Sequence, residues 1–519
     1  MDSAKKRLND SAALRWTVLV LISGLMFATY WFQDFYSGLK GMMELTMGFT
    51  SEEFGRMIGL TTIANVFGMI IIGGMILDKW GIRLAGLVFG GLALVGAGVS
   101  AMAANGFFGE SHSTILTWMI IGRIMFGSGL EIVCVVVTRT VVKWFKGYEL
   151  ALAMAINMGF GRLGSATGIA ISPDIAGNSV PTAIVFAATL IGLSIIMFLI
   201  YLIFDVRIDR QTSELSGGAP AESEDFSFSD LIKLATNASF IYIALLCVAF
   251  YAAVFPFMQY APDLLVNKFG FVYELPESAN IVLFGSAAIG NAAVYLALFL
   301  FGISFSLVPQ QLKGKRAKTT AIVIILALFA LFINSLWGYL SVWLKNGPKT
   351  ASLIPLGTIL FTPIFGSFVD KRGKAASLMI LGSLLLIFAH LSLSIFNSLA
   401  FAYIGLLFLG VAFSLVPAAM WPSVAKIVKE SRLGTAYASM FTVQNWGLLL
   451  FFWGIGALLD FVNRDNLEAI RAGEMVYNYT TPIFVLVICG IVSIFLAFKL
   501  RQADKRQRYG LELPSGQSG

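Results

Sequence analysis

Gly74-Met-Ile-Leu-Asp78-Lys79-Trp80-Gly81-Ile82-Arg83 and Gly366-Ser-Phe-Val-Asp370-Lys371-Arg372-Gly373-Lys374 are two copies of one phrase. Each follows an apolar run and precedes another. In the pattern Gly-x-x-x-Asp-Lys-x-Gly, the first glycine lets two helices approach closely. The last lets a charged turn close at the membrane surface. A single copy would be an ordinary basic loop. Two copies in a very apolar chain indicate a duplicated helical bundle, and internal duplication is how secondary transporters are built.

Composition agrees. The 519 residues are 58% hydrophobic and 13% charged, whereas a soluble chain carries about 25% charge. Many apolar runs exceed ~18 residues, so the chain reads as an all-α polytopic membrane protein. The formal charge of +7 sits mostly in short loops. The positive-inside rule accounts for it without a nucleic-acid partner. Cys134, Cys247 and Cys489 lie in apolar runs and read as packing rather than a disulfide framework. His112 and His390 are far apart in sequence. No metal, cofactor or catalytic constellation is expected, so the chain does not read as an enzyme. No apolar signal region precedes the first long span, so a cleaved leader is not expected. The polar end, Leu513 to Gly519, is expected to be disordered.

Fourteen spans are expected: 16–40, 54–77, 84–104, 114–137, 150–172, 181–204, 238–262, 281–308, 320–344, 351–369, 375–396, 400–421, 434–459 and 480–500. Threading them through a membrane puts Lys5 to Arg7, Asp78 to Arg83, Lys143 to Lys146, Lys313 to Lys318, Lys371 to Lys374, Lys426 to Arg432 and Lys499 to Arg508 on one side. Lys345, Lys349, Arg464 and Arg471 dilute the bias on the other. Both termini are then cytoplasmic. The expected division is a six-helix bundle over 1–204, a cytoplasmic linker over 205–237, a second bundle over 238–503 and a tail over 504–519. The phrase beginning at Phe226 reads as a short interfacial helix at the end of the linker.

The repeat also exposes an insertion. The step from Asp78 to Asp370 exceeds the step between the first spans of the two halves by ~70 residues, about what two extra crossings need. The inserted hairpin is 281–345, turning at Lys313 to Lys318. The architecture is therefore six helices plus six, with one added pair.

An ionisable side chain at mid-membrane costs about 2.5–3.5 kcal/mol on insertion scales, so each one calls for an explanation. Glu131, in Gly122-Arg123-Ile-Met-Phe-Gly127-Ser-Gly129-Leu-Glu131, lies ~18 Å along its helix from Lys143. Arg162, in Gly159-Phe-Gly161-Arg162-Leu-Gly164, lies ~20 Å from Glu149 on the next, oppositely directed helix. The two charges thus reach similar depth. They fit a structural salt bridge, a clamp for a zwitterion, or a proton site at Glu131. In the clamp, Glu131 attracts an ammonium and Arg162 holds a carboxylate bidentately. Tyr30, Asn65, Tyr251, Gln444, Asn445 and Trp446 are candidates to complete the pocket. Gln33, Asp34, Phe255, Gln259 and Tyr260 are further polar and aromatic residues of the same spans. Aligning Lys146–Leu150 with Lys429–Leu433 pairs Arg162 with Asn445, so the first half supplies charge where the second supplies an amide. Arg123 fits a backbone-bonding or charge-neutralising role, and Arg139 a gating or snorkelling role. Asp78, Arg83, Asp370 and Lys371 belong to the two repeated turns.

Those turns, with Gly122-Arg123-x-x-x-Gly127-x-Gly129, resemble the major facilitator superfamily over nearly the whole chain. Phe126-Gly-Ser-Gly-Leu-Glu131, Trp144-Phe-Lys-Gly-Tyr-Glu-Leu150, Arg162-Leu-Gly-Ser165, Leu433-Gly-Thr-Ala-Tyr437 and Gln444-Asn445 resemble the branch that includes the lysosomal dipeptide uniporter of animals. The resemblance implies the major facilitator fold and dipeptide uniport by alternating access. It implies that Glu131 binds the peptide amino end and Arg162 the carboxyl end. The residues by themselves also admit proton-coupled transport of peptides or small organic anions. The added hairpin departs from the twelve-helix animal members, and no acidic dileucine signal precedes Trp16. The expected setting is therefore a monomer in a prokaryotic inner membrane. Lipid is its surrounding and small peptides are its ligands; no accessory subunit is implied.

Overall fold

Helix ends along the chain are set by local caps. Ser11, Ser111, Asn237 and Ser286 each accept a backbone N–H from the first turn they precede. Thr50 and Glu53 form a reciprocal capping box. Gly48 and Gly270 end their helices in the left-handed conformation. The computed structural model describes residues 8–216, 228–429 and 432–514. Among these there is no strand, only the isolated bridges Val272↔Asn346 and Leu283↔Ser286.

The long helices are α1 (Ala12–Met47, bent at Phe35), α2 (51–80), α3 (82–104), α4 (His112–Phe145), α5 (Leu150–Ala176), α6 (Val180–Ser216) and α7 (Ala238–Phe269). They continue with α8 (Ala287–Gln311), α9 (Lys315–Ser335), α10 (Gly347–Arg372), α11 (Ala375–Ile395), α12 (Leu399–Ile427), α13 (Leu433–Asn463) and α14 (Thr480–Gln507). Among the described residues, 12 helical stretches are long and apolar enough to cross a membrane. One of them, Met69–Ala104, holds α3 and the end of α2 and is divided at Gly81 (φ 76°, ψ 173°). The helix that carries Arg162, Leu150–Ala176, is a further 27 residues long. Each segment expected from sequence lies on helix.

The boundaries differ in four places. The segment 54–77 is a broken helix, because Thr61 and Thr62 turn their hydroxyls back onto Met57 and Gly59 carbonyls and Gly68 restarts the helix at φ 80°. The linker does not begin at 205: α6 runs on to Ser216, and Phe228–Ala235 is the short helix expected before α7. The hairpin's first helix starts at Ala287, not 281, because Leu283 and Ser286 exchange backbone hydrogen bonds in a tight turn. The chain from 508 to 514 folds back rather than trailing away. Leu511 is fully buried with its N–H on Asp504 at 3.2 Å, and the Lys426 ammonium reaches the Leu513 carbonyl at 2.7 Å. The Glu512 carboxylate accepts both the N–H and the hydroxyl of Ser377 at 2.8 Å. Residues 515–519 lie outside the described residues.

In the first part of the chain α1 packs against α5 and α6, and α4 against the α2–α3 rod. In the second, α7 packs against α13 and α14, and α12 against α10 and α11. The added helix α8 lies on α5 and α10, whereas α9 packs mainly on α8 and buries none of its residues. It is a lipid-facing rod. The apolar interior is divided. One core belongs to the first six helices alone and gathers Val18, Leu25, Val133, Val141, Trp144 and Tyr201, near the chain ends. The other runs continuously from Phe35, Phe54 and Phe126 into Phe250, Tyr260 and Leu459. The two halves are therefore fused away from the chain ends and have separate interiors near them.

The two repeated turns are clasped differently. In the first, Asp78 pairs with Arg139 at 2.5 Å, so Arg139 is engaged in a half-exposed ion pair. Arg83 meets Asp205 at 2.6 Å and Asp209 at 2.5 Å, and Lys143 meets both at 2.7 Å. In the second, Gly373 has φ 68°, and a side chain there would come within 2.4 Å of the Leu513 backbone. Lys374 and Ala375 donate their N–H groups to Glu512 and Leu511 carbonyls at 3.1 and 3.0 Å. Lys371 is exposed. A folded-back tail thus covers the second turn, where an acidic pair on α6 holds the first.

Candidate functional site

Glu131 on α4 and Arg162 on α5 are both half-buried. Neither forms an ion pair or hydrogen bond, with the other or with any other described residue. The expected structural bridge between them is not made. The Arg162 guanidinium instead lies over the ring of Phe413 on α12, 4.6 Å from its centroid. A cation over a ring face is attracted by the ring quadrupole while its N–H edge stays free for a ligand. Phe413 meets Phe255 edge-on at 5.4 Å, and Phe255 stacks on Tyr251 at 5.3 Å. Trp421 donates its indole N–H to the Tyr251 hydroxyl at 2.9 Å and stacks on Phe441 at 4.7 Å. Arg162 of the first half therefore meets an aromatic wall from the second.

On the first-half side, Tyr30 of α1 lies within electrostatic reach of both Glu131 and Arg162, and its hydroxyl meets Cys134. Close packing places it there. Gly164 of α5 sits against the Phe27 backbone, where a side chain would come within 2.2 Å of the carbonyl oxygen. On the far side of Arg162, the Asp34 carboxylate accepts hydrogen bonds from the Ser165 hydroxyl at 2.5 Å and the Gln259 amide at 2.8 Å.

Arg123 is fully buried and bonds backbone at a helix break. Its guanidinium donates to the carbonyls of Phe32 at 2.8 Å and Gln33 at 3.4 Å, just before the bend at Phe35, and to the Thr61 hydroxyl at 2.9 Å. It supplies hydrogens to carbonyls that the bend frees from the helix.

The remaining candidates are dispersed. Gln444 accepts from the Cys247 thiol at 3.4 Å, behind Tyr251. Asn445, the repeat partner of Arg162, spends its amide N–H on the Phe441 carbonyl of its own helix at 2.8 Å. Trp446 is exposed and bonds the Val66 carbonyl of α2 at 2.9 Å, across the seam between halves. Asn65 is buried, and its side-chain oxygen has no partner. None of these four is brought onto Glu131 or Arg162. Phe413, Cys134 and Trp421 are the neighbours that sequence reasoning missed, since an aromatic or thiol in an apolar span carries no signal of its own. An apolar cavity of about 390 Å³ between α8, α9 and α10 lies apart from this site.

Beyond Asp34 the halves are locked together. The buried Lys40 ammonium of α1 meets Asp263 of α7 at 2.7 Å and Glu44 at 2.7 Å. Asp263 also accepts the hydroxyls of Tyr273 and Tyr479. Burial, with Asp263 beside them, holds both phenols well above their ordinary pKa, so they stay donors at neutral pH. Lys349 of α10 meets Asp174 of α5 at 2.7 Å, and Asn291 of α8 donates to the same carboxylate at 2.8 Å. Asp460 of α13 accepts the first N–H groups of α2, from Ser51 at 3.2 Å and Glu52 at 2.7 Å. Lys349, read in the sequence as a loop charge, is therefore a buried partner. The spacing of Lys40 and Glu44, four apart in an apolar run, was the available hint.

Comparison with known proteins agrees with this architecture. The family model described as Major Facilitator Superfamily matches residues 19–345 and 349–514. The chain belongs to the major facilitator superfamily. It is similar to the lysosomal dipeptide transporter MFSD1 of Danio rerio, at 26% identity over 85% of this chain and 80% of that one. The Homo sapiens protein of the same name is 24% identical over 86% of this chain and 80% of its own length. Among solved structures, the nucleoside transporter NupG superposes with TM-score 0.52 at 15% identity, covering 95% of this chain and 99% of that one. The xylose transporter XylE of E. coli gives TM-score 0.55 at 11% identity, with 93% and 99% covered. At such identities the structural likeness speaks for the fold alone. The chain is thus a multi-span membrane transporter of this superfamily.

Proposed function

We propose that this transporter carries dipeptides by uniport, through alternating access of its two halves to a site between Glu131 and Arg162. The observation that carries the reading is the pair itself: two half-buried, opposite charges that make no ion pair or hydrogen bond among the described residues, with Arg162 laid against an aromatic wall. A dipeptide presents an ammonium and a carboxylate at its two ends. Glu131 takes the first, Arg162 the second, and the rings of Phe413, Phe255 and Tyr251 receive the side chains without polar readout. Recognition through main-chain charges gives broad side-chain tolerance. The similarity to proteins named dipeptide transporters supports the substrate class. The division of the apolar core supports a cleft that opens toward the chain ends. The basic turns on that side support its being cytoplasmic, in the inner membrane of a cell, with the protein acting as a monomer without an accessory subunit.

Purified protein in liposomes tests this. Labelled dipeptide should equilibrate without an imposed ion gradient. Arg162→Ala and Glu131→Gln should each cut uptake about tenfold or more, since each leaves one end of a desolvated zwitterion unpaired. Uptake that survives in both variants sinks the clamp. Accumulation driven by a pH gradient sinks uniport and favours proton coupling.

A further inference from the structure

The added hairpin encloses a cavity that the transport site does not use. α8 packs against both α9 and α10, and the space between those two outer helices is about 390 Å³. Phe301 and Phe305 of α8, Phe329 of α9, Trp337, and Leu353 and Leu360 of α10 line it. Gly302 and Gly357 keep it wide, one on the α8 wall and one on the α10 wall. A side chain at Gly357 would meet nothing nearer than Phe361 at 3.9 Å. Polar groups on the walls are already spent. The Thr350 hydroxyl donates to the Leu344 carbonyl at 2.9 Å, the Trp343 indole to Ala279 at 2.9 Å, and Tyr295 meets Ser352 at 2.7 Å. Water entering here finds few partners. Apolar cavities of even about 150 Å³ stay dry and take apolar guests.

The outer wall decides which guest arrives. α9 is long and apolar enough to cross a membrane, and none of its residues is buried. Its surroundings are therefore lipid hydrocarbon. Trp337 and Leu353 on the cavity walls are exposed, so the space opens beside α9 toward that hydrocarbon. The inner end is different. Trp343 is 5% exposed and carries the Lys349 ammonium over its ring at 5.0 Å. That ammonium meets Asp174 of α5 at 2.7 Å and the Ala170 carbonyl at 3.1 Å. It belongs to one of the buried pairs that join the halves. α8 also reaches the first half, where Phe299 meets Phe160 of α5 at 5.1 Å.

We propose that this cavity binds one acyl chain of a membrane phospholipid, and that the bound chain braces α10 and, through it, the Lys349–Asp174 pair. An empty cavity in a bilayer forfeits the dispersion contacts of its walls. A chain that fills it restores them only while α9 and α10 keep this separation. The guest therefore favours the arrangement in which Lys349 reaches Asp174. The added hairpin is in this way a lipid-responsive support for the closed side.

Trp343 reports on the site, because a chain that stays outside the cavity cannot lie against it. The purified full chain is placed in phosphatidylcholine liposomes with and without bromine on the acyl chains, since bromine quenches an indole it touches. The emission lost to bromine should be smaller in Trp343→Phe than in wild type. Gly357→Phe, which fills the cavity and keeps Trp343, should lose as little as Trp343→Phe. Gly302→Leu fills it from the other wall, its first carbon 3.4 Å from Ile359, and serves if Gly357→Phe fails to fold. Equal losses in wild type and Trp343→Phe, or wild-type loss in a folded filled variant, overturn the site. The brace is read separately. Phosphatidylcholine added to protein in detergent should raise the thermal midpoint of wild type more than that of Asp174→Asn, because chain and ion pair act on one element. Equal rises overturn the brace and leave the acyl site standing.

Discussion

The two ends of the molecule are held by different electrostatics. Away from the chain ends, ion pairs cross between the halves and are buried: Lys40 and Asp263 expose 0% and 2% of their side chains, Lys349 and Asp174 2% and 14%. Near the chain ends, the pairs at the first repeated turn stay within one half and are more exposed, as with Arg139 and Asp78 at 45% and 32%. A buried pair is costly to break by halves, because the partner left behind cannot reach water. An exposed pair loses little, because water replaces the lost partner. One side is thus held by buried contacts that cross between the halves, and the other by more exposed contacts within one half.

Three substitutions test that contrast, in descending order of effect. Lys40→Met should be the most damaging, leaving Asp263 and Glu44 without their cation and costing the closed far side about 3–5 kcal/mol. In a background lacking the native cysteines, a cysteine replacing buried Ser51 should react strongly with a membrane-impermeant maleimide when Lys40 is also changed, and hardly at all when no other residue is altered. Unchanged labelling would show that the pair does not hold this side shut. Asp460→Asn should have a middle effect. It removes a charge from the N-terminus of α2, worth about 1–2 kcal/mol where partly buried, and the same cysteine should label more weakly than with Lys40→Met. Arg139→Gln should matter least, about 0–1 kcal/mol, with the thermal midpoint nearly unmoved. A large drop in midpoint there would mean that the chain-end side is braced as firmly as the other.

How much of this was legible in the sequence depends on what kind of signal each feature leaves. The repeated turns and apolar runs are periodic, so fold class and family could be read from residue order. Glu131 and Arg162 stood out because charge in an apolar span is rare. The lock formed by Lys40, Asp263, Tyr273 and Tyr479 left little trace, since its members come from separate parts of the chain and only packing unites them. The same holds for Phe413, one phenylalanine among 44 until Arg162 lies on it. The fold-back of residues 508–514 left no signal in residue order either; buried Leu511 and the Glu512–Ser377 bonds hold it in place.

The sequence by itself determined a helical transporter of this superfamily and singled out one pair of opposite charges in its apolar spans, because hydrophobic period, turn glycines and isolated charges are local properties of the chain. Tertiary structure alone decided that this pair stays open, that Asn445 turns onto its own helix, and that Asp34 joins Ser165 to Gln259 of the opposite half. Those outcomes depend on which partner each polar group finds first in a medium without water. That choice is made by the packing of helices distant in sequence.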